Sequence, residues 1–375
     1  MFKALSRWTL ILGLLAGCST EVAPETVNAD VSQVAVRLDS ASVMRTGSGK
    51  FKVQWVAASP SAEEVAVLVA DRAGATANEA IEVGRAASSA GSVEVELPEA
   101  MAGTFRPYFQ LVVPGQTLRV AERSVGFEGQ PNFRDLGGYE TADGGRVKWG
   151  QLFRSGEMSG LTAADAEQLA ALGIAVVCDL RESREREEAP SPWPAEGGPE
   201  VLTGVDPESA AWDALARLET GEQARELMAE GYPRTVEDKA GAYQAMFERL
   251  TVGEQPLVVH CSAGKDRAGI ASSLVLHALG VPRAVVLADY ELTNEYSGRL
   301  RERGEEESDA TAALLAALPA EVLEALLDAD RTYLIAAWDY MESTYGSVDG
   351  YLEQKLGVDA AAKQRLRELY VEPGG

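Results

Sequence analysis

The chain has 375 residues, enough for two domains with cores of their own. Nearly half of them (46%) are apolar, which excludes a disordered chain. A formal net charge of −24 argues against nucleic acid as a partner and against loose adsorption to anionic lipid, so an anionic substrate would have to be drawn in by a local positive site.

Residues 1–17 read as a targeting signal: Lys3 and Arg7 form a basic start, and 9–16 are a short apolar run. The following Leu15-Ala16-Gly17-Cys18 resembles the bacterial lipobox, in which Cys18 becomes a lipidated N-terminus. That implies a cell-envelope lipoprotein, held at a membrane by acyl chains rather than by a spanning helix. Residues 18–30 are polar and Pro-containing and read as a tether.

Residues 31–126 read as all-β. Short runs at 34–38, 51–56, 65–69, 93–97, 108–113 and 118–125 are separated by Gly, Pro, Ser and Asn. The expectation is a small immunoglobulin-like or fibronectin-like sandwich, acting as a spacer or a module that docks a partner.

Residues 127–375 read as α/β. Residues 132–138 form a glycine-ended loop, and 151–155 a strand. Helix 161–173 opens on Thr162 with Asp165 three residues on, and closes at Gly173. Strand 174–178 is wholly apolar, as a buried parallel strand is, and runs into Asp179 and Arg181. Those two side chains share a face beyond the strand's carboxyl end, where open α/β sheets place their sites; as a surface ion pair they would be worth under about 1 kcal/mol. Cys178 points the other way, as a buried apolar filler; a disulfide with Cys261 would need Cα atoms within about 7 Å. Short helices are expected at 210–217 and 223–229, and an amphipathic helix at 240–250.

The stretch Leu257-Val258-Val259-His260-Cys261-Ser262-Ala263-Gly264-Lys265-Asp266-Arg267-Ala268-Gly269 is an apolar strand, a tight loop and the start of a helix over 268–279. A loop feeding a helix N-terminus aims backbone N–H groups at one point, and the helix dipole adds positive potential there. Such a nest binds a tetrahedral dianion and favours a thiolate, which makes Cys261 a nucleophile. Arg267 can fork two hydrogen bonds onto phosphate oxygens. Cys-x5-Arg is thus a phosphate cradle with an attacking sulfur in it.

His-Cys-x-x-Gly-Lys-Asp-Arg-x-Gly resembles the signature of cysteine-dependent protein tyrosine phosphatases, in the bacterial branch that carries Gly-Lys-Asp-Arg and includes enzymes with phosphoinositide activity. Asn132-Phe133-Arg134-Asp135-Leu136-Gly137-Gly138, Leu152-Phe153-Arg154-Ser155-Gly156, Asp179-Leu180-Arg181, Asp289-Tyr290 and Tyr345-Gly346-Ser347 resemble it too, so the likeness covers about 128–370. It implies a mostly parallel central sheet flanked by helices, with the 199–238 insertion covering the active site; the helical segments 284–296, 299–307, 312–318 and 321–327 read as a helical lid or as a plain helical subdomain.

In that reading Cys261 attacks phosphorus, and Ser262, Ala263, Gly264 and Lys265 hold the phosphate with Arg267. Asp266 is the first candidate for the acid and Asp179 the second. Arg134 or Asp135 faces the loop, and Arg181 lies near it. Lys265 makes a phosphoinositide a second substrate beside a phosphotyrosyl protein. Two histidines and three cysteines leave no zinc set, and no cofactor is called for. Ala268 departs from the pattern, which has Ser or Thr there to help the cysteine leave. A phospho-ligand-binding protein without turnover is the reading from another class.

Overall fold

The computed structural model describes residues 36–130, 132–194, 196–204, 217–296 and 317–374. The targeting segment with Cys18, the tether, segment 299–307 and nearly all of 210–217 and 312–318 lie outside the described residues. Residues 36–375 form one compact unit.

Its first part is antiparallel. Strands β1 (Leu38–Gly47), β2 (Lys50–Ala57), β3 (Glu64–Ala70), β4 (Ile81–Ala87), β5 (Ser92–Glu96), β6 (Tyr108–Val113) and β7 (Gln116–Val120) make two sheets, ordered β1-β2-β5 and β4-β3-β6-β7. Period two decides which side chains go inward: in β2, Phe51, Val53 and Trp55 are buried while Lys50, Gln54 and Val56 are not. They meet Val65, Val67, Val69, Phe109 and Leu111 in one core. Most of β1 and all of β4 were not expected. Ser, Arg and Gly interrupt β1, and Glu, Gly and Arg interrupt β4, so neither shows the apolar run of a strand, yet each completes the pairing of its neighbour.

The second part is α/β. Its strands are β8 (Arg134–Asp135), β9 (Arg146–Val147), β10 (Leu152–Ser155), β11 (Val176–Asp179), β12 (Glu200–Thr203), β13 (Leu257–His260) and β14 (Val371–Glu372). The main sheet runs β12-β11-β13-β10-β8, parallel except for β8 at its edge; β9 and β14 pair apart from it. β13 is central, which is why its residues are apolar on both faces. Val258 joins Phe133, Phe153 and Val177 in one cluster, and Leu257 and Val259 join Leu152 and Cys178 in the larger one.

Helices cover that sheet: α1 (Ala163–Ala171), α2 (Ser183–Glu188), α3 (Gly221–Asp238), α4 (Ala240–Val252), α5 (Asp266–Ala278), α6 (Arg283–Glu291), α7 (Thr293–Tyr296), α8 (Ala320–Leu327), α9 (Arg331–Tyr345), α10 (Val348–Leu356) and α11 (Ala360–Tyr370). α5 follows the centre strand and is buried along almost its whole length, from Ala268 to Ala278. Thr162 caps α1 as expected, and the Asp165 carboxylate also takes the amides of Glu128 and Gly129. The expected helix at 223–229 falls in the first half of α3, which runs on for more than two turns through Pro233.

Candidate active site

The loop between β13 and α5 is shaped from outside by three donors. The carbonyl of Ser262 accepts from the amide of Glu157 (2.8 Å), that of Ala263 from Asn132 Nδ2 (3.0 Å), and that of Gly264 from Arg154 Nη2 (2.8 Å). A trans peptide sets each N–H opposite the preceding carbonyl. The amides of Ala263, Gly264 and Lys265 are therefore turned to the other side, toward one hollow. Gly264 has φ +70°, and a Cβ there would lie 2.6 Å from the backbone of Ser155 and Gly156. Only glycine allows the loop to pass that close to the end of β10.

Cys261 stands at the start of the loop, almost wholly buried. Arg267, one residue into α5, is held by Glu185 of α2: Nη1 donates to Oε2 at 2.5 Å and Nη2 to Oε1 at 2.8 Å. Nη2 also donates to Ser262 Oγ (3.2 Å) and Nη1 to the Leu180 carbonyl (3.3 Å), while Ser262 Oγ donates to Glu185. Burial works against the guanidinium's charge, but Glu185 and the neighbouring Cys261 outweigh it and push its pKa up. For Glu185, burial raises the carboxyl and the Arg267 and Ser262 hydrogen bonds win, bringing it down to about 2. A planar cation is thus fixed beside a sulfur, at the mouth of an α-helix, under converging amides. That arrangement can bind a tetrahedral phosphate group and place a nucleophile against it.

Glu185 was not singled out from the sequence, where it sits in a charged run. Its one local signal is the acid-x-x-acid spacing with Glu182: the Glu182 amide donates to Glu185 Oε2 at 2.7 Å, closing the first turn of α2.

Asp266 opens α5 with its side chain about a third exposed. Its Oδ1 accepts from Tyr232 Oη of α3 (2.6 Å) and lies 3.4 Å from Lys265 Nζ. Tyr232 Oη also meets Tyr290 Oη at 2.5 Å.

Several expected site residues are placed elsewhere. Asp179 is buried and gripped by Arg181, through Nη2 (2.8 Å) and Nε (3.0 Å). Burial raises the Asp179 carboxyl, but the Arg181 bonds and the nearby His260 leave it below the ordinary range. The structure turns Asp179 into a buried ion pair with Arg181 rather than out toward a leaving group. Arg181 is spent on Asp179, the Ala189 carbonyl and Ser191, so it does not reach for substrate.

Arg134 is wholly buried beneath the loop. It donates to Asn132, the Asp289 carbonyl (2.9 Å) and Thr293 (3.2 Å), and burial, with the like charge of Arg154, takes its pKa down to about 10. Asp135 is equally buried and accepts from Arg106 (2.9 Å) and the amides of Gly137 (2.7 Å) and Gly150 (2.8 Å). Neither faces the hollow; the residue that touches the loop from this segment is Asn132. Lys265 is neither inside the cradle nor in solvent: its Nζ donates to the carbonyls of Leu326 and of Asp328 (3.1 Å), at the end of α8. Cys178 and Cys261 are both free thiols. Burial pushes the Cys178 thiol up to about 12, the behaviour of an inert filler.

The comparisons agree with this geometry. A profile described as the tyrosine phosphatase family matches residues 125–372. A protein of Cupriavidus necator named as a tyrosine-protein phosphatase is 37% identical over 253 residues, covering 66% of this chain and 88% of the relative. The triple specificity protein phosphatase PtpB of Mycobacterium tuberculosis is 32% identical over 275 residues, covering 63% of this chain and 95% of its own. A solved structure of Tk-PTP in its active form aligns with 47% of this chain and 91% of its own at 18% identity, but with a TM-score of 0.22 it carries no weight here. The profile spans well over half of the chain, and the loop it contains is built for phosphate: the chain belongs to the tyrosine phosphatase family and is a protein tyrosine phosphatase.

Proposed function

We propose that the reaction runs through Cys261, without a metal ion. The Cys261 sulfur attacks phosphorus, and the bond from phosphorus to the tyrosyl oxygen breaks. Asp266 gives its proton to the departing phenolate, a contribution typically worth about 10²–10⁴-fold. Tyr232 engages only Oδ1 of Asp266. The inward amides of the 262–267 loop hold the equatorial oxygens, joined by the Arg267 guanidinium once its Nη hydrogens trade their Ser262 and Leu180 partners for phosphate oxygens, and both hold them more tightly as charge redistributes in the transition state. Water then cleaves the S–P bond, releasing phosphate and the thiolate.

The observation that carries this reading is the set of outward-held carbonyls at 262, 263 and 264, with Arg267 fixed beside Cys261 by Glu185. The neutral cradle and one guanidinium supply the positive field that a metal ion would otherwise bring. Ala268 is fully buried and offers no hydroxyl to the second step. The reading therefore predicts a burst, with phosphoenzyme accumulating; a single-turnover experiment without build-up would count against a slow second step.

Phosphotyrosyl protein is the first substrate. A phosphoinositide is the second, kept open by the relative named as triple specificity. Lys265, tied to the end of α8, would have to release two carbonyls before it could take a second phosphate. Comparing phosphotyrosyl peptide with soluble inositol phosphates separates the two. Segments 284–296 and 317–327 read as parts of a cover over the site.

We further propose that residues 1–17 are a lipoprotein signal, that Cys18 carries the lipid, and that 18–30 tether a sandwich of 31–126 to the envelope. Palmitate labelling that persists in Cys18→Ala would refute the anchor.

A further inference from the structure

We propose that Arg106, on the loop leading into β6, is a positioning residue of the phosphate loop, and that the N-terminal sheets are therefore a working part of the phosphatase rather than a spacer. The inference rests on the cradle described above being the active site.

The contact chain is short. Arg106 is buried and donates from Nη2 to Asp135 Oδ2 and to the Glu122 carbonyl, both at 2.9 Å, and from Nε to Tyr108 Oη at 3.1 Å. Asp135 is wholly buried, and its remaining acceptor capacity goes to the amides of Gly137 and Gly150. One carboxylate thus pins both ends of the 137–150 segment, and Arg106 supplies the cation opposite it. Segment 123–125 runs antiparallel beside 133–135, with Asp135 donating to the Arg123 carbonyl and Val125 to the Phe133 carbonyl. Trp149, just before Gly150, is packed into the core of the two N-terminal sheets and donates to the Arg119 carbonyl at 3.1 Å.

The residues just before Asp135 reach the cradle. Asn132 holds the Ala263 carbonyl, and Arg134 next to Asp135 is bonded to the Asp289 backbone. The Asp289 carboxylate in turn holds Arg154, which holds the Gly264 carbonyl. Of the three outward pulls on the loop, Asn132, three residues before Asp135, makes one directly, and Arg134, next to Asp135, reaches a second through Asp289 and Arg154. Without Arg106 the buried carboxylate keeps two amides but loses its bonded cation, because the nearby Arg123 guanidinium is engaged by the Asp135 and Gly137 carbonyls instead. Such a group draws in water or shifts, and the 132–135 strand shifts with it.

The test uses the full chain. Arg106→Met, Asp135→Asn and the double variant are assayed for kcat on para-nitrophenyl phosphate and for inhibition by inorganic phosphate, each per active site counted by vanadate titration. The expected result for each single variant is a loss of about tenfold or more in kcat, with weaker phosphate inhibition, because the amides no longer converge. The double variant should lose clearly less than the product of the two single losses.

A role confined to stability would lower the number of active sites but leave kcat and phosphate inhibition per site at wild-type values, and that result overturns the proposal. Should Arg106→Met fail to fold, the isosteric Asp135→Asn decides on the same two readouts. Wild-type chain without activity, or Cys261→Ser with full activity, would instead refute the reading of the site on which this inference stands.

Discussion

Glu185 grips both terminal nitrogens of Arg267, at 2.5 and 2.8 Å, and so fixes the plane of the guanidinium before any substrate arrives. A flexible arginine would have to be ordered at each turnover. Glu185→Gln removes the charge and half of the fork. It should lower kcat/KM on phosphotyrosyl peptide by about 10²-fold, the scale on which lost oxyanion donors are felt. Steady-state kinetics within twofold of wild type would show that the grip is dispensable.

The proposed acid, Asp266, is tested by comparing leaving groups. A phenolate departs readily without a proton and an alkoxide does not. Asp266→Asn should therefore cost an alkyl phosphate substrate more than it costs para-nitrophenyl phosphate, up to the roughly 10²–10⁴-fold typical of a lost acid. Equal losses on both would move the acid elsewhere.

Asp179 is the buried ion-pair partner of Arg181. Asp179→Asn leaves a buried guanidinium without its counter-charge, so the fold should lose about 3–5 kcal/mol in denaturant unfolding. Its leaving-group dependence should match the wild type. A selective loss on alkyl phosphates would restore Asp179 as the acid.

His260 lies wholly buried in the centre strand, and burial brings its pKa down to about 4 despite Asp179, whose Oδ2 is 3.5 Å from Nε2. Between pH 6.5 and about 4 the unfolded chain binds a proton there that the folded chain refuses. Stability from this group is therefore complete above pH 6.5 and declines on acidification, by up to about 1.4 kcal/mol per pH unit. Glu185 acts in a separate window. Its carboxyl is depressed to about 2, so its contribution holds above pH 4.5 and fades only between 4.5 and 2. Denaturant unfolding at pH 7 and pH 5 should show a drop that His260→Asn removes; an unchanged slope in that variant would place the titration on another group.

Where regular periodicity or a motif wrote the answer locally, the sequence was readable. β13 with its loop, α1 with its Thr162 box, α4 and α5 all lie within two or three residues of their expected bounds. What was not readable is what depends on partners distant in the chain. β4 and β12 carry little apolar signal and exist because neighbouring strands offer ladders to them. Arg134 and Asp135 looked like site residues because their motif is charged; the fold turns both inward, against Asp289 and Arg106, which lie 155 and 29 residues away. Lys265 likewise finds carbonyls more than sixty residues downstream. A charged residue in a motif announces that it has a partner, and only the three-dimensional arrangement says whether that partner is substrate or protein.

The central claim is that one sulfur carries the phosphoryl group with no metal in attendance. The most direct measurement is turnover of para-nitrophenyl phosphate and phosphotyrosyl peptide by wild type and Cys261→Ser, each in excess chelator. The account predicts undiminished wild-type activity and background rates for Cys261→Ser, with phosphate or vanadate still bound by the variant. Turnover that survives in Cys261→Ser, or wild-type activity abolished by the chelator, would contradict it.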